Sequence, residues 1–305
     1  MSSQTTVNPA SQHYLSAASE ARTALLLIDI QRGLNTSHGF YGTERSTPSL
    51  EENVSAILAA CRGYNSRTFE SKGCNNPESS LASSSHQKAT VCASTGATES
   101  NTPAPTTTPS KLPYPHTIEI IHIYHKSTNP LSPLHISGAA QKDGILFMPC
   151  AEPAAVSPAS SHTSRPLESS SPTMNEHVLS KSTNTAFGNP ELQTILQRGG
   201  IEQLVVCGIA TDHCVTTSVR WARDLGVVQQ TTRHGRRPIR EGVEAREEDD
   251  AEAEDGKIVV LSDATACFNK GGFDAETVQQ VHLASLEGEF AKVMTTRDVL
   301  DQLFG

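Results

Sequence analysis

Four apolar runs, interspersed with helix-like stretches, restrict this chain to a small set of architectures. The runs are TALLLIDI (Thr23–Ile30), TIEIIHIYH (Thr117–His125), QLVVCGI (Gln203–Ile209) and KIVVLSDA (Lys257–Ala264). Hydrophobicity that is continuous rather than alternating marks strands buried on both faces. Shorter runs, EHVLSK ending at Lys181 and AKVMTT near the C-terminus, read as two further strands. Between them lie amphipathic segments. In SLEENVSAILAACRGYN, Val54, Ile57, Leu58 and Cys61 recur at helical spacing, and Glu51 and Glu52 suit the first turn. NPELQTILQRGG carries an early proline and a closing glycine pair, and DAETVQQVHLASLEGEF is the last long helix. Strands alternating with helices predict an α/β fold: a three-layer α/β/α arrangement around a mainly parallel sheet of about six strands. Ligands of such open sheets bind beyond the carboxyl ends of the strands.

The rest of the chain is of a different kind. Hydrophobic residues make up 36% of its 305 residues, low for a globular chain of this length. Residues 1–20 are polar and read as a flexible N-terminus. Residues 21–305 read as one domain interrupted by low-complexity insertions near 66–115, 152–173 and 229–256. The first two are crowded with Ser, Thr and Pro, and cannot bury enough apolar surface to offset the entropy of ordering. The third opens with RHGRRPIR and closes with EAREEDDAEAEDG, a loop neutralised by its own acidic half rather than a phosphate-binding patch.

A net charge of −9 argues against nucleic-acid and anionic-membrane partners. No apolar run is long enough to span a bilayer, and no secretory signal is legible at the N-terminus. Seven cysteines at irregular spacing, without a C-x-x-C, fit reduced thiols and a cytoplasmic setting better than disulfides or a zinc knuckle.

Three polar residues fall at the carboxyl ends of predicted strands: Asp29, Lys181 and Cys214. Singly each has an ordinary explanation, as a cap, a solvated lysine or a small buried hydrophobe. Together on one rim they form a coherent set. The thiolate is the nucleophilic form of cysteine. Cys214, placed by the sequence in the first turn of a helix, would be favoured as an anion by the unpaired N–H groups there and by the Lys181 ammonium. Asp29 could take the thiol proton and pass it to a leaving group. Backbone N–H groups of GIATDHC would surround the carbonyl under attack. Thr211 and Asp212 are good capping residues for that helix. His213 adjoins the nucleophile, but successive residues near a helix start point apart, which disfavours a Cys–His dyad. Gln31, Phe40, His125, Phe187 and His213 are candidate substrate-binding residues by position. His122 and His125, three apart on a strand, face opposite sides, which disfavours a joint metal site and leaves His125 alone to line the pocket.

The motifs LLLIDIQRGL around Asp29, SKSTNTAF around Lys181 and GIATDHCVTTSVRWARDLG around Cys214, with STNPLSPLH and VVLSDATACF, resemble those of the isochorismatase-like cysteine hydrolases. This group includes nicotinamidases and other amide and ureide hydrolases. The resemblance implies a catalytic triad of Asp29, Lys181 and Cys214, a non-proline cis peptide at Ile209–Ala210, and an oxyanion hole from the amides of Ala210 and Cys214. It also implies homo-oligomer contacts, with which the insertions would interfere. A cysteine at position 214 departs from true isochorismatases and implies acyl transfer to sulfur. The Asp-x-His pair with which nicotinamidases hold a metal is absent, so no metal and no cofactor are expected. The resulting expectation is a cysteine hydrolase that uses water to cleave the C–N bond of a small amide, ureide or carbamoyl compound through a thioester. An inactive scaffold or a thiol-based redox protein is the alternative. Substitution of any triad member is expected to leave the fold intact.

Overall fold

The computed structural model describes residues 13–35, 41, 44–73, 116–138, 140–154, 175–229 and 256–305. Six strands form one sheet in the order β3-β2-β1-β4-β5-β6, and every pairing is parallel. The strands are β1 (Thr23–Ile28), β2 (Glu119–His125), β3 (Glu176–Lys181), β4 (Gln203–Ile209), β5 (Lys257–Ala266) and β6 (Lys292–Met294). The helices are α1 (Arg32–Asn35), α2 (Leu50–Gly73), α3 (Pro190–Gly199), α4 (Thr216–Asp224), α5 (Ala275–Ala284) and α6 (Thr296–Phe304). The strand order grows outward from β1 to β3, then reverses to β4 on the other side of β1. In open sheets of this kind, ligands bind beyond the carboxyl ends of the strands at such a reversal.

The period of two along each strand divides the core into two layers. Leu25 and Leu27 of β1, with Val205 and Cys207 of β4, pack against Leu50, Val54, Ile57, Leu58 and Cys61 of α2 and Val299 and Leu303 of α6. Ala24, Leu26 and Ile28, with Leu204 and Val206, face the other way, onto Leu192 and Leu196 of α3, Val219 and Ala222 of α4, and Leu283 of α5. This is the three-layer α/β/α architecture expected from the apolar runs.

Two boundaries differ from the sequence reading. Residues 13–20 are not frayed: Leu15 and Ala18 are buried, and Ala18 N–H donates to the Leu303 carbonyl at 3.0 Å. The helix α2 runs to Gly73, eight residues into the segment read as an insertion, and Thr68 on it is buried. The remainder of the three insertions, 74–115, 155–174 and 230–255, lies outside the described residues. No helix among the described residues is long and apolar enough to cross a membrane.

Close contact between β1 and β4 depends on Gly208. Its φ is +146°, and a Cβ there would stand 2.2 Å from the Ile28 carbonyl oxygen. Gly208→Ala is therefore expected to destabilise the fold by about 2 kcal/mol or more. Urea unfolding of the purified variant measures this; an unchanged midpoint would contradict it.

Strand β3 is an edge strand held by β2 and by a buried charge cluster at its start. Glu176 Oε1 accepts from His122 Nε2 (2.9 Å), Arg62 Nη2 (2.5 Å) and Ala154 N (2.9 Å). Burial works to raise the Glu176 pKa, but the His122 and Arg62 bonds outweigh it and hold it down at about 2. Burial also pushes His122 below its ordinary value, against the pull of Glu176. A carboxylate depressed from 4.5 contributes stability that is complete above that pH and is lost as pH falls towards 2. Acid titration followed by circular dichroism should show a loss of about 3 kcal/mol across that window. Glu176→Gln should flatten it, and an unaltered acid limb in that variant would contradict the assignment.

Candidate active site

Asp29 follows β1 in a left-handed conformation, φ +51°, one that aspartate tolerates better than most residues. Its N–H donates to the Ile123 carbonyl of β2 at 2.9 Å, and its own carbonyl accepts from Gln31 N at 2.8 Å. This tight turn carries the carboxylate over the carboxyl end of the sheet. Lys181 is the last residue of β3. Its Nζ donates to Asp29 Oδ2 (2.6 Å) and the Thr183 carbonyl (3.0 Å), and lies 3.3 Å from both Cys214 Sγ and His125 Nδ1. Asp29 and Lys181 are 1% and 3% exposed, so this ion pair lies out of water. The structure thus brings together three residues separated by up to 185 positions in the chain.

Cys214 occupies a different setting from the one expected. A π-helical turn, Thr211–Val215, precedes α4, and Cys214 lies within it rather than in the first turn of α4. The Ile209–Ala210 peptide at its start is cis. The Ala210 carbonyl accepts from the N–H groups of His213 (3.0 Å) and Val215 (3.2 Å), on either side of the cysteine. Ser218 Oγ donates to the Cys214 carbonyl (2.6 Å) and accepts from Ala186 N (2.8 Å), tying the turn to the loop after β3. Thr211 and Asp212 do not cap the helix. Thr211 is fully buried, and Asp212 pairs with Lys270.

The electrostatics of the thiol also correct the sequence reading. Burial raises its pKa most, the Asp29 charge raises it further, and Lys181 lowers it without compensating. Burial and the neighbouring carboxylate thus disfavour the anion that Lys181 favours. Asp29 Oδ2 is occupied by Lys181, while Asp29 Oδ1 is buried with no hydrogen-bond partner among the described residues. A carboxylate oxygen of Asp29, a ring nitrogen of His125 and Cys214 Sγ all lie within 4.8 Å of one another. These are metal-ligand types. The Lys181 ammonium already stands among them, so the set does not fit a divalent cation alongside it.

The candidate pocket residues divide. His125 is in the site, its ring against Lys181. His122 faces the other way, onto Glu176, as the strand period requires. Gln31 is fully buried and does not face a ligand: Nε2 donates to the carbonyls of Ile145 (2.8 Å) and His125 (3.1 Å), and Oε1 accepts from His125 N (2.8 Å). Phe187 packs into the core beneath α3 and α4. His213 turns to the rim, where Lys270 contacts both its Nε2 and Asp212 Oδ2. Phe40 lies outside the described residues. Tyr41, next to it, was missed. It bonds Ser132 and is within electrostatic reach of Cys214, Asp29 and Lys181. An aromatic pair between α1 and α2 was the only signal, and it does not say which ring turns inward.

A doubly wound parallel sheet thus carries a buried carboxylate and ammonium, with a partly buried thiol beside them, at its switch point. The Isochorismatase domain model matches residues 149–298. A curated relative, the uncharacterized isochorismatase family protein YrdC of Bacillus subtilis (strain 168), is 27% identical over 131 residues. That match covers 41% of this chain and 54% of the relative, so the chain spans about half the length of the curated protein it matches. Among solved structures, one described as a hydrolase of the isochorismatase family from Chromobacterium violaceum ATCC 12472 is 21% identical with a TM-score of 0.54. It covers 94% of this chain and 96% of its own. A cysteine hydrolase from Pseudomonas syringae pv. phaseolicola 1448A is 16% identical, with a TM-score of 0.52 over 92% of each chain. Residues 149–298 thus match the isochorismatase domain, and the chain shares the fold of the isochorismatase-family hydrolases.

Proposed function

We propose that this protein is a cysteine hydrolase that cleaves the C–N bond of a small amide, ureide or carbamoyl compound through a thioester on Cys214. The observation that carries the reading is the convergence of the buried Asp29–Lys181 pair on Cys214, whose Sγ lies within 4.8 Å of an Asp29 carboxylate oxygen and 3.3 Å from Lys181 Nζ. A carboxylate with one oxygen held by an ammonium and the other unpaired is a base with a single proton to accept.

The steps follow from that arrangement. The substrate carbonyl oxygen rests on the amides of Ala210 and Cys214, which stabilise charge as it develops. The thiol proton passes to Asp29 as sulfur forms its bond to the carbonyl carbon. Collapse of the tetrahedral intermediate breaks the C–N bond, and Asp29 returns the proton to the departing nitrogen. Ammonia or an amine leaves and a thioester remains. Water then adds to the thioester, giving a proton to Asp29. The C–S bond breaks, the acid is released, and sulfur recovers its proton. Lys181 offsets negative charge on the carboxylate and sulfur in turn.

Five cysteines among the described residues are free, which supports a reducing, cytoplasmic setting. A thiol redox role is less well supported: Cys207 is sealed within β4 and cannot approach Cys214 as a resolving partner. The test is a panel of small primary amides, carbamoyl compounds and ureides, read by release of ammonia or amine. The reading expects turnover of at least one of these classes. Absence of C–N cleavage throughout, with a folded protein, would favour the scaffold alternative.

A further inference from the structure

The Lys181 ammonium has three N–H bonds and four acceptors around it: Asp29 Oδ2 at 2.6 Å, the Thr183 carbonyl at 3.0 Å, and Cys214 Sγ and His125 Nδ1, both at 3.3 Å. The two oxygens hold two of the hydrogens. The third is contested at equal distance by a sulfur and an imidazole nitrogen. An ammonium can only donate, so the ring nitrogen facing it presents a lone pair, and the His125 proton resides on Nε2. A neutral thiol sulfur is the weaker acceptor of the two, whereas a thiolate is a charged and much stronger one.

We propose that His125 is a positioning residue for Lys181, which holds the third N–H while Cys214 is a thiol and releases it to sulfur when the thiol proton moves to Asp29. One hydrogen bond is exchanged and one proton moves, from sulfur to carboxylate, with no net change of charge in the site. The ring is placed for this by Gln31, whose side-chain amide grips the His125 backbone N–H and carbonyl together. Burial and the Lys181 charge push the His125 pKa below its ordinary value, against the pull of Asp29 and the Thr183 carbonyl. The groups facing Cys214 are Asp29 from the turn after β1, His125 from β2, Lys181 from β3 and Tyr41 from the segment before α2. This rests on the reading of Cys214 as the nucleophile and adds a control on when it becomes one.

The experiment follows alkylation of the Cys214 peptide by iodoacetamide across pH, by mass spectrometry, in the wild-type protein, His125→Leu and His125→Asn. It needs no substrate, so failure to find an amide substrate does not bear on it. Leucine removes the acceptor, and Lys181 then serves sulfur alone. Alkylation at neutral pH should rise about tenfold, with its midpoint moved to lower pH. Asparagine places an oxygen near the former Nδ1 and should stay within about twofold of wild type. A wild-type rate in the leucine variant, or equal shifts in both variants, would overturn the proposal. Nitrogen NMR of His125 in the wild-type protein decides the matter even if a variant does not fold. An unprotonated Nδ1 is expected, and a protonated Nδ1 would overturn it.

Discussion

Cys214→Ala should reduce amide hydrolysis by about 10⁴-fold or more while leaving the fold in place. The sulfur contributes little to the core: Cys214 is only partly buried, and its turn is held by backbone bonds to Ala210 and by Ser218. Loss of the sulfur removes the atom to which the acyl group transfers, and neither Asp29 nor Lys181 can substitute. Asp29 could still activate water directly, so the residual rate measures general-base hydrolysis alone. Serine at this position should be nearly as inactive, because its hydroxyl is much harder to deprotonate. Steady-state kinetics with thermal melts on both variants separate loss of chemistry from loss of structure. A rate within tenfold of wild type would remove sulfur from the mechanism.

The second large effect falls on the ion pair. Asp29→Asn and Lys181→Met should each lower kcat by about 10²-fold or more. Each should also cost about 3–5 kcal/mol of stability, since either change leaves one buried charge without its partner. This departs from the expectation that triad substitutions spare the fold, and thermal melts of the two variants decide between them. Sequence alone places the two residues at strand ends; only their burial, 1% and 3% exposed, shows that neither charge has water to fall back on. The double variant Asp29→Asn/Lys181→Met should recover much of the lost stability and none of the activity, because it removes both charges together. Additive stability losses in the double variant would mean that the pair is not coupled as described.

The residues show why some features were legible in the sequence and others were not. β1 and β4 were readable because strands buried on both faces must be apolar throughout, and their carboxyl ends locate Asp29 and the Cys214 turn. Lys181 was found by the same logic at the end of β3. The π-helical turn was not legible, since one extra residue per turn leaves no mark in hydrophobic period. Gln31 and His125 both stand at strand ends, and only their partners separate them: one spends its amide on backbone, the other turns its ring to Lys181. Ser and Thr near residue 66 suggested an end to order, yet α2 continues to Gly73 because Thr68 finds burial against the core. The raised thiol pKa depends on burial and on the sum of two opposed charges, quantities that spacing in a chain does not contain.

The most direct test of the central claim is an acid-quenched time course of the Cys214 peptide during turnover of an amide substrate. The account predicts an added mass equal to the acyl group, appearing on Cys214 before steady state and disappearing as substrate is exhausted. Turnover with no such adduct on a millisecond-to-second quench, combined with an undiminished rate in Cys214→Ala, would contradict it.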